Sequence, residues 1–182
     1  MSLKNSKVLI IIAGFSNPPM SQGKLNESLG LEAKKYLEHK GHQVKVTQIA
    51  KGYKVEEEIE KFKWADVIIF QSQTWWIGLP NPAKKYIDEV LTAYIPLIEQ
   101  YKGKKKIMVS ATFGALEETI HDKNTCYEGL GAEQVWWPLY AAFVYSGFEK
   151  LPMVAYFNSF SRHFVYQERV DKLHAHLDKV FV

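Results

Sequence analysis

Apolar runs alternate along this chain with segments whose apolar residues recur every three to four positions. Continuous apolar runs predict strands that are buried on both faces, whereas strict alternation predicts a strand with a more exposed face. The continuous runs, written by residue number, are KVLIIIA (7–13), DVIIFQ (66–71), KKKIMVSA (104–111) and KLPMVAYF (150–157). The segment HQVKVTQI (42–49) alternates and predicts a further strand, which makes five.

Helical spacing fills the intervals between these strands. From Leu25 to His39 the apolar residues fall on one helical face, and Gly41 predicts the end of that helix. At 81–95 Asn81 is the predicted N-cap, and Pro82 suits the first turn. The other predicted helices lie within 54–65, 138–148 and 161–182.

Strands that alternate with helices predict a parallel sheet covered by helices on both faces. The predicted fold is therefore a single α/β domain over residues 1–182, a three-layer αβα sandwich of the flavodoxin-like type. Its five-stranded parallel sheet is expected in the order 2-1-3-4-5. A Rossmann order is disfavoured because the first loop lacks the three spaced glycines of a dinucleotide fingerprint.

Composition limits the function classes. A hydrophobic fraction of 47% with 24% charged residues is that of a globular domain, and 14% aromatic residues call for a large core or a binding surface. The net charge of +3 is small, and the densest basic cluster, KGKKK at 102–106, is interpreted as a solubilising turn. A nucleic-acid partner would need a broader basic face, so none is expected.

Cys126 is the single cysteine, which excludes an internal disulfide and a multi-cysteine metal site and favours a reducing, cytoplasmic location. The apolar run near the N-terminus is too short for a secretory signal, and no segment has the roughly 20 apolar residues of a membrane span. The six histidines form no metal-binding or hydrolase motif. Neither a metal nor a catalytic side chain is predicted.

Ligands of open α/β sheets bind outside the carboxyl ends of the strands, so the loops after the first, third and fourth strands are the candidate site. The first loop, 14–29, brings Ser16, Ser21, Gly23 and Asn26 to the start of a helix. Hydroxyl and amide groups beside free backbone N–H groups suit a phosphate or pyrophosphate. The same residue types also serve as helix caps, and both interpretations stay open for this loop.

The second loop contains the stretch FQSQTWWIGLP, at 70–80. Trp75 and Trp76 are adjacent and cannot both enter the core from a tight turn, while Gly78 lets a ligand approach the backbone. The third loop, SATFGALEE at 110–118, again pairs an aromatic residue with glycine. Phosphate donors at one loop and planar ring surfaces at the next two favour a nucleotide of a flat heterocycle, with flavin as the leading candidate.

Three segments resemble a known family. WADVIIFQSQTWWIGLPNPAKKYIDEVL (64–91), SQGKLNESL (21–29) and WWPLYAAFVYSGFEKLP (136–152) are similar to the modulator of drug activity B family, flavodoxin-like NAD(P)H:quinone reductases grouped with DT-diaphorase. The resemblance implies FAD bound at a homodimer interface, reduction by NAD(P)H and reoxidation by a quinone. FMN stays open as the flavin.

The resemblance also implies which residues hold the flavin. The pyrophosphate positions are Ser21, Gly23, Leu25 and Asn26, with Ser16 as a further donor in the same loop. The isoalloxazine positions are Gln73, Thr74, Trp75, Trp76, Ile77, Gly78, Thr112, Phe113 and Gly114. Aromatic surface at Tyr94, Phe143 and Tyr145 is the expected dimer interface.

The chain departs from the family in two places. The segment 91–103 is shorter than the corresponding family loop, which helps to form the substrate pocket. His121 and Tyr127 do not align with the Tyr and His that DT-diaphorase places after its third loop, so no catalytic side chain is carried over.

Two alternatives to a reductase remain. One is a flavin-binding ancillary subunit of a potassium-efflux antiporter. The other is a flavodoxin-like electron carrier, which the slight excess of basic residues disfavours because such carriers are usually acidic.

Overall fold

Parallel strands form the centre of the computed structural model, which describes residues 3–181. Within that range the sheet has six strands: β1 Lys7–Ala13, β2 Gln43–Gln48, β3 Val67–Gln73, β4 Lys106–Thr112, β5 Glu149–Lys150 and β6 Val154–Tyr156. The order is β2-β1-β3-β4-β5. β5 pairs with the first residues of β4, and β6 pairs with the last residues of the same strand. All of these pairs are parallel, and both the parallel sheet and the strand order 2-1-3-4-5 are confirmed.

The fifth predicted strand is divided. β5 and β6 both pair with β4, but the residues between them, which include Pro152, leave the ladder. Proline has no backbone N–H to donate and is confined to edges of a sheet, as here. The sheet therefore ends in two short edge strands instead of one long strand.

Helices cover both faces of the sheet. The helices in the described range are α1 Lys24–His39, α2 Val55–Trp64, α3 Asn81–Tyr94, α4 Ile98–Tyr101, α5 Glu117–His121, α6 Ala132–Val135, α7 Trp137–Tyr145 and α8 Tyr166–Val180. The three short helices α4, α5 and α6 were not predicted. No helix between residues 3 and 181 combines the length and the apolar character that a membrane crossing requires.

Two hydrophobic cores follow from the twofold alternation of side chains along the strands. In β1, Leu9, Ile11 and Ala13 pack with residues of α2, α3 and α7. The alternate residues of β1 pack with α1 and α8 on the opposite face. Gly30 allows α1 to lie close to β1, because a Cβ atom there would overlap the side chain of Ile12.

Several local predictions were wrong. Pro80, not Asn81, occupies the N-cap position of α3. Tyr94 and Phe143, predicted at a dimer surface, are fully buried in the core, whereas Tyr145 is 81% exposed. The last helix begins at Tyr166, and Val182, like Met1 and Ser2, lies outside the described residues.

A buried lysine closes the C-terminal end of α2. The Lys105 ammonium donates hydrogen bonds to the backbone oxygens of Lys63 (2.9 Å) and Ala65 (2.5 Å), and it lies over the Tyr101 ring. These oxygens would otherwise lack partners at the helix end. Burial lowers the pKa of Lys105 from its ordinary 10.5 to about 8.

This pKa predicts a pH-dependent stability. Between about pH 8 and 10 the unfolded chain keeps the proton that native Lys105 has lost, so the free energy of unfolding rises with pH through this residue. The free energy of unfolding of the wild type should rise by about 2 kcal/mol across that range relative to that of Lys105→Met, measured by urea unfolding. Lys104→Met, at an exposed neighbouring position, is the control and should show no such trend. A wild-type-minus-Lys105→Met difference that is constant with pH would contradict the prediction.

Candidate functional site

The loops after β1, β3 and β4 meet at the carboxyl edge of the sheet. Ala13 is paired with Ser72, and Gln73 is paired with Thr112, so the three strands end at the same level. The register places the three candidate loops side by side, as the sequence predicted.

A buried hydrogen-bond network joins these loops at Asn26. Its side-chain nitrogen donates to Thr112 Oγ1 (3.1 Å) and Gln73 Oε1 (3.3 Å), and its oxygen accepts from Gln71 Nε2 (2.8 Å). Gln73 also bonds the backbone of Phe15 in both directions. The side chain of Asn26 therefore holds α1 against β3 and β4. Its backbone N–H is the group of this residue that could still bind a ligand at the helix start.

The first turn of α1 has donors but no side-chain cap. Its N-cap is Gly23, with φ of 71°, and the first hydrogen bond of the helical type runs from Glu27 N to Gly23 O (3.2 Å). The N–H groups of Lys24, Leu25 and Asn26 precede that bond and belong to the helix start that normally binds anions. A side chain at residue 23 would be strained at this φ and would crowd the backbone of Phe15.

Ser21 shapes the first loop. Its hydroxyl donates to Phe15 O (3.4 Å) and accepts from Gly23 N (3.2 Å), so it supports the glycine that begins the helix. Ser16, in contrast, is exposed and lines neither of the cavities described below. Ser16 is thus the predicted donor in this loop that does not lie at the candidate site.

The double-tryptophan stretch forms a two-residue turn at the end of β3. Trp75 and Gly78 exchange both backbone hydrogen bonds, at 2.9 and 3.1 Å. The central residues Trp76 and Ile77 have φ of 47° and 58°, which are the left-handed values of a type I′ turn. Asn and Gly normally occupy such positions, and a β-branched residue there is strained. Strain of this kind is concentrated at functional sites.

The two tryptophans have different surroundings. Trp75 is half-buried and meets Phe15 edge-on, with ring centroids 5.7 Å apart. Trp76 is 92% exposed. Thr74, which precedes them, is fixed by two hydrogen bonds. Its N–H donates to Thr112 O (2.7 Å), and its hydroxyl accepts from Trp136 Nε1 (3.0 Å). The turn projects from a rigid base, and one large aromatic face is left in solvent.

Phe160, which is not among the predicted site residues, covers the third loop. Phe113 is buried and packs on Phe157, with centroids 5.3 Å apart. The Phe160 ring lies directly on Gly114, where any Cβ atom would overlap it. A side chain at residue 114 would therefore displace the exposed Phe160 ring from this position.

Two adjoining cavities open at this edge. The first, about 250 Å³, is lined by the start of α1 and the ends of β3 and β4: Met20, Ser21, Gln22, Gly23, Lys24, Leu25, Asn26, Gln73, Thr74, Trp75, Thr112, Gly114, Ser159 and Phe160. The second, about 600 Å³, is mainly apolar and is lined by Asn17, Met20, Thr74, Trp75, Trp76, Ile77, Phe113, Gly114, Ala115, Cys126, Tyr127 and Phe160. We call them the polar and the apolar cavity, because the first borders the free backbone N–H groups at the start of α1 and the second has mainly aromatic and aliphatic walls. Their shared lining residues show that they adjoin.

Most of the predicted site residues thus come together. Gly78 closes the turn without lining either cavity, and the space where its Cβ atom would lie is open. Ser159 and Phe160 were missed because the loop after β6 was not among the three considered, although it leaves the same edge. Cys126 and Tyr127 belong to the long connection after β4; neither is among the predicted site residues, and Tyr127 was compared only with the Tyr and His of DT-diaphorase. Burial raises the pKa of Tyr127, so this hydroxyl stays neutral.

Metal chemistry finds no support in the geometry. Within residues 3–181, no group of three or more His, Cys, Asp or Glu side chains is arranged to hold a metal ion. What this edge of the sheet offers is backbone N–H groups, hydroxyl groups and aromatic surface.

Comparison with known proteins agrees with the flavodoxin-like fold. A family model described as a flavodoxin-like fold matches residues 6–179. The chain is 35% identical over 178 residues to NADPH:quinone oxidoreductase MdaB of Haemophilus influenzae, a match covering 88% of this chain and 92% of the relative.

Solved structures share the fold at low identity. An NADPH-quinone reductase from P. pentosaceus superposes with a TM-score of 0.72 at 16% identity, covering 96% of this chain and 97% of that one. General stress protein 14 from Treponema denticola, solved in complex with FMN, gives 0.71 at 17% identity with the same two coverages.

The Asn26 network predicts a structural effect. Asn26→Ala would leave the buried Gln71 and Thr112 without their partners, so the free energy of unfolding should fall by about 2–3 kcal/mol. Urea unfolding of the ligand-free protein measures this. Asn124→Ala is the matched control, because Asn124 bonds Asp122 in an exposed turn, and its effect should stay within about 0.5 kcal/mol. An Asn26→Ala effect as small as the control would show that the network does not hold the edge together.

The strained turn predicts a gain in stability. Ile77→Gly removes the β-branched side chain from a left-handed position, so the free energy of unfolding should rise by up to about 1 kcal/mol. The control is Ile95→Gly, since Ile95 is also exposed but has φ of −47°, and this change should destabilise. Equal losses in the two variants, again measured by urea unfolding, would mean that the turn stores no strain.

Proposed function

We propose that this chain, which belongs to the family with the flavodoxin-like fold, is a flavin-dependent NAD(P)H:quinone oxidoreductase. In this proposal two electrons pass as hydride from NAD(P)H through bound FAD to a quinone or a similar flat acceptor. The 35% identity with a relative named NADPH:quinone oxidoreductase, over most of both chains, supports the reaction class.

One structural observation carries the proposal: an uncapped helix start adjoins an aromatic-walled apolar cavity. The N–H groups of Lys24, Leu25 and Asn26 suit a phosphate, and Trp75 stands at the junction with the apolar cavity. A ligand that fills both cavities must be anionic at one end and flat and apolar at the other. FMN has this form, and in FAD an adenosine follows the phosphates.

The residues present fit a flavin. Gly23 has no side chain that would compete for the helix N–H groups, and the open space at Gly78 leaves the backbone of the turn accessible. In this assignment the N–H groups of Lys24, Leu25 and Asn26 would hold the phosphates, Ser21 and Gly23 would shape the loop around them, and the turn from Thr74 to Gly78 would border the ring. In this proposal the flavin is FAD, and Gln22 and Lys24, which also line the polar cavity, would be available to its second phosphate.

The chain's own contribution would be positioning. A bound flavin would supply the hydride chemistry, and the protein would supply backbone N–H groups and an apolar cavity. Trp75, Phe113 and Tyr127 would exclude water from the acceptor. We assign no catalytic acid or base; Tyr127, whose pKa is raised by burial, lines the apolar cavity as a neutral hydroxyl.

We further propose a homodimer in the cytoplasm. The exposed face of α7 presents Trp137, Val144 and Tyr145, which are 52%, 46% and 81% exposed, and α7 contains no charged residue. An apolar face of this kind on a surface helix is typical of a protein interface. An exposed free thiol at Cys126 suits a reducing compartment.

A reconstitution experiment tests the function. The purified chain is loaded with FAD or FMN and mixed without oxygen with NADH or NADPH. The expected result is loss of the flavin absorption band, which a quinone then restores, with FAD retained more tightly than FMN. A protein that takes up neither flavin would overturn the proposal. A bound flavin that neither nucleotide reduces would favour the ancillary-subunit alternative.

A variant locates the site within the same experiment. Trp75→Ala should weaken flavin binding about tenfold or more, because one wall of both cavities is lost. Trp64→Ala is the control, since Trp64 ends α2 at the opposite edge of the sheet. Fluorescence titration measures both dissociation constants. Unchanged affinity in Trp75→Ala would count against the site assignment.

A further inference from the structure

The loop between β6 and α8 is fixed to the candidate site. The N–H of Ser159 donates to Phe113 O (3.0 Å), and the N–H of Asn158 donates to Ala115 O (2.9 Å). At the base of the loop, Arg169 of α8 donates to Phe157 O (2.9 Å). These bonds tie the loop to the segment that follows β4, and they set the positions of Ser159 and its neighbour Phe160.

Ser159 has a buried hydroxyl with an unmet hydrogen-bonding capacity. Its Oγ is buried and has no partner among the described residues, and the residue lines the polar cavity. Tyr94 also has a buried hydroxyl without a partner, and the buried hydroxyls of Ser110 and Tyr156 interact with each other, but none of these three residues lines either cavity. A buried polar group without a partner is unfavourable, and in a cavity wall a bound ligand can supply the partner.

Phe160 shows where along the ligand this hydroxyl would act. The ring lies on Gly114 and lines both cavities, whereas Ser159 lines the polar cavity alone. Phe160 thus marks the junction between the two cavities. Ser159 lies on the side of the junction that contains Gly23 and the start of α1.

We infer that Ser159 is a direct flavin ligand, whose hydroxyl donates a hydrogen bond to an oxygen of the ribityl-phosphate chain that links the ring to the nucleotide. Phe160 covers the same chain from the solvent side. The inference rests on the proposed function and adds a fourth loop, the one after β6, to the flavin site.

The test separates ligand binding from protein stability. Ser159→Ala should weaken FAD binding to the ligand-free protein about five- to tenfold, the usual value of one hydrogen bond. The Tm of the ligand-free variant should be unchanged or higher, because an unpaired buried hydroxyl has been removed. Fluorescence titration gives the affinity, and calorimetry gives the Tm. A merely structural role would lower the Tm.

The matched control is Ser161→Ala, two residues further along the same loop. The Ser161 hydroxyl accepts a hydrogen bond from His163 N (3.1 Å), and Ser161 lines neither cavity. Its FAD affinity should equal that of the wild type. An equal loss of affinity in both variants would show a general disturbance of the loop and would overturn the inference.

The remaining outcomes are also decisive. If the wild type binds no flavin, the proposed function and this inference fail together. If the wild type binds FAD and Ser159→Ala binds it equally well, only the inference fails. Repeating the titration with riboflavin identifies the acceptor: a loss that persists indicates a ribityl hydroxyl, and a loss that disappears indicates the phosphate. Both results support contact with the linking chain.

Discussion

The buried amide of Asn26 is the interaction on which the carboxyl edge of the sheet depends. It bonds Gln71 and Gln73 of β3 and Thr112 of β4 from a helix that follows β1, so one side chain fixes three elements. Each bond replaces a contact with water, and the network is favourable because its members satisfy one another. Fixing α1 in this way aims its first N–H groups at the polar cavity.

This use of polar side chains leaves the ligand-facing surface to other groups. Gln73 is occupied with Phe15, and Ser21 with the backbone around Gly23, so backbone N–H groups become the principal donors for a ligand. The exposed Trp76 and the strained Ile77 add no packing to the core, and their conformation costs stability. A rigid buried network beside a strained, exposed turn is the arrangement expected when positioning a cofactor is the protein's task.

Sequence patterns were sufficient for the architecture because parallel strands that alternate with helices have few topologies. The same rule placed the loops after β1, β3 and β4 together. It did not predict the division of the last strand at Pro152, which depends on edge pairing. Neither did it distinguish Asn26 as an internal link, since Asn in such a loop suits a cap, a ligand contact or a buried bond equally well. Ser159 and Phe160 depend on the path of the loop after β6, which only tertiary structure fixes.

In the proposed complex one ligand is anchored at two places, by its phosphate at the start of α1 and by its ring at the Trp75–Gly78 turn. Amide NMR spectra of the ¹⁵N-labelled chain, recorded with FAD and with riboflavin, test it most directly. FAD should shift the N–H signals of Lys24, Leu25 and Asn26 as well as those of the turn, whereas riboflavin, which lacks phosphate, should shift those of the turn alone. FAD binding that leaves the signals at the start of α1 unmoved would show that the phosphate is not held there.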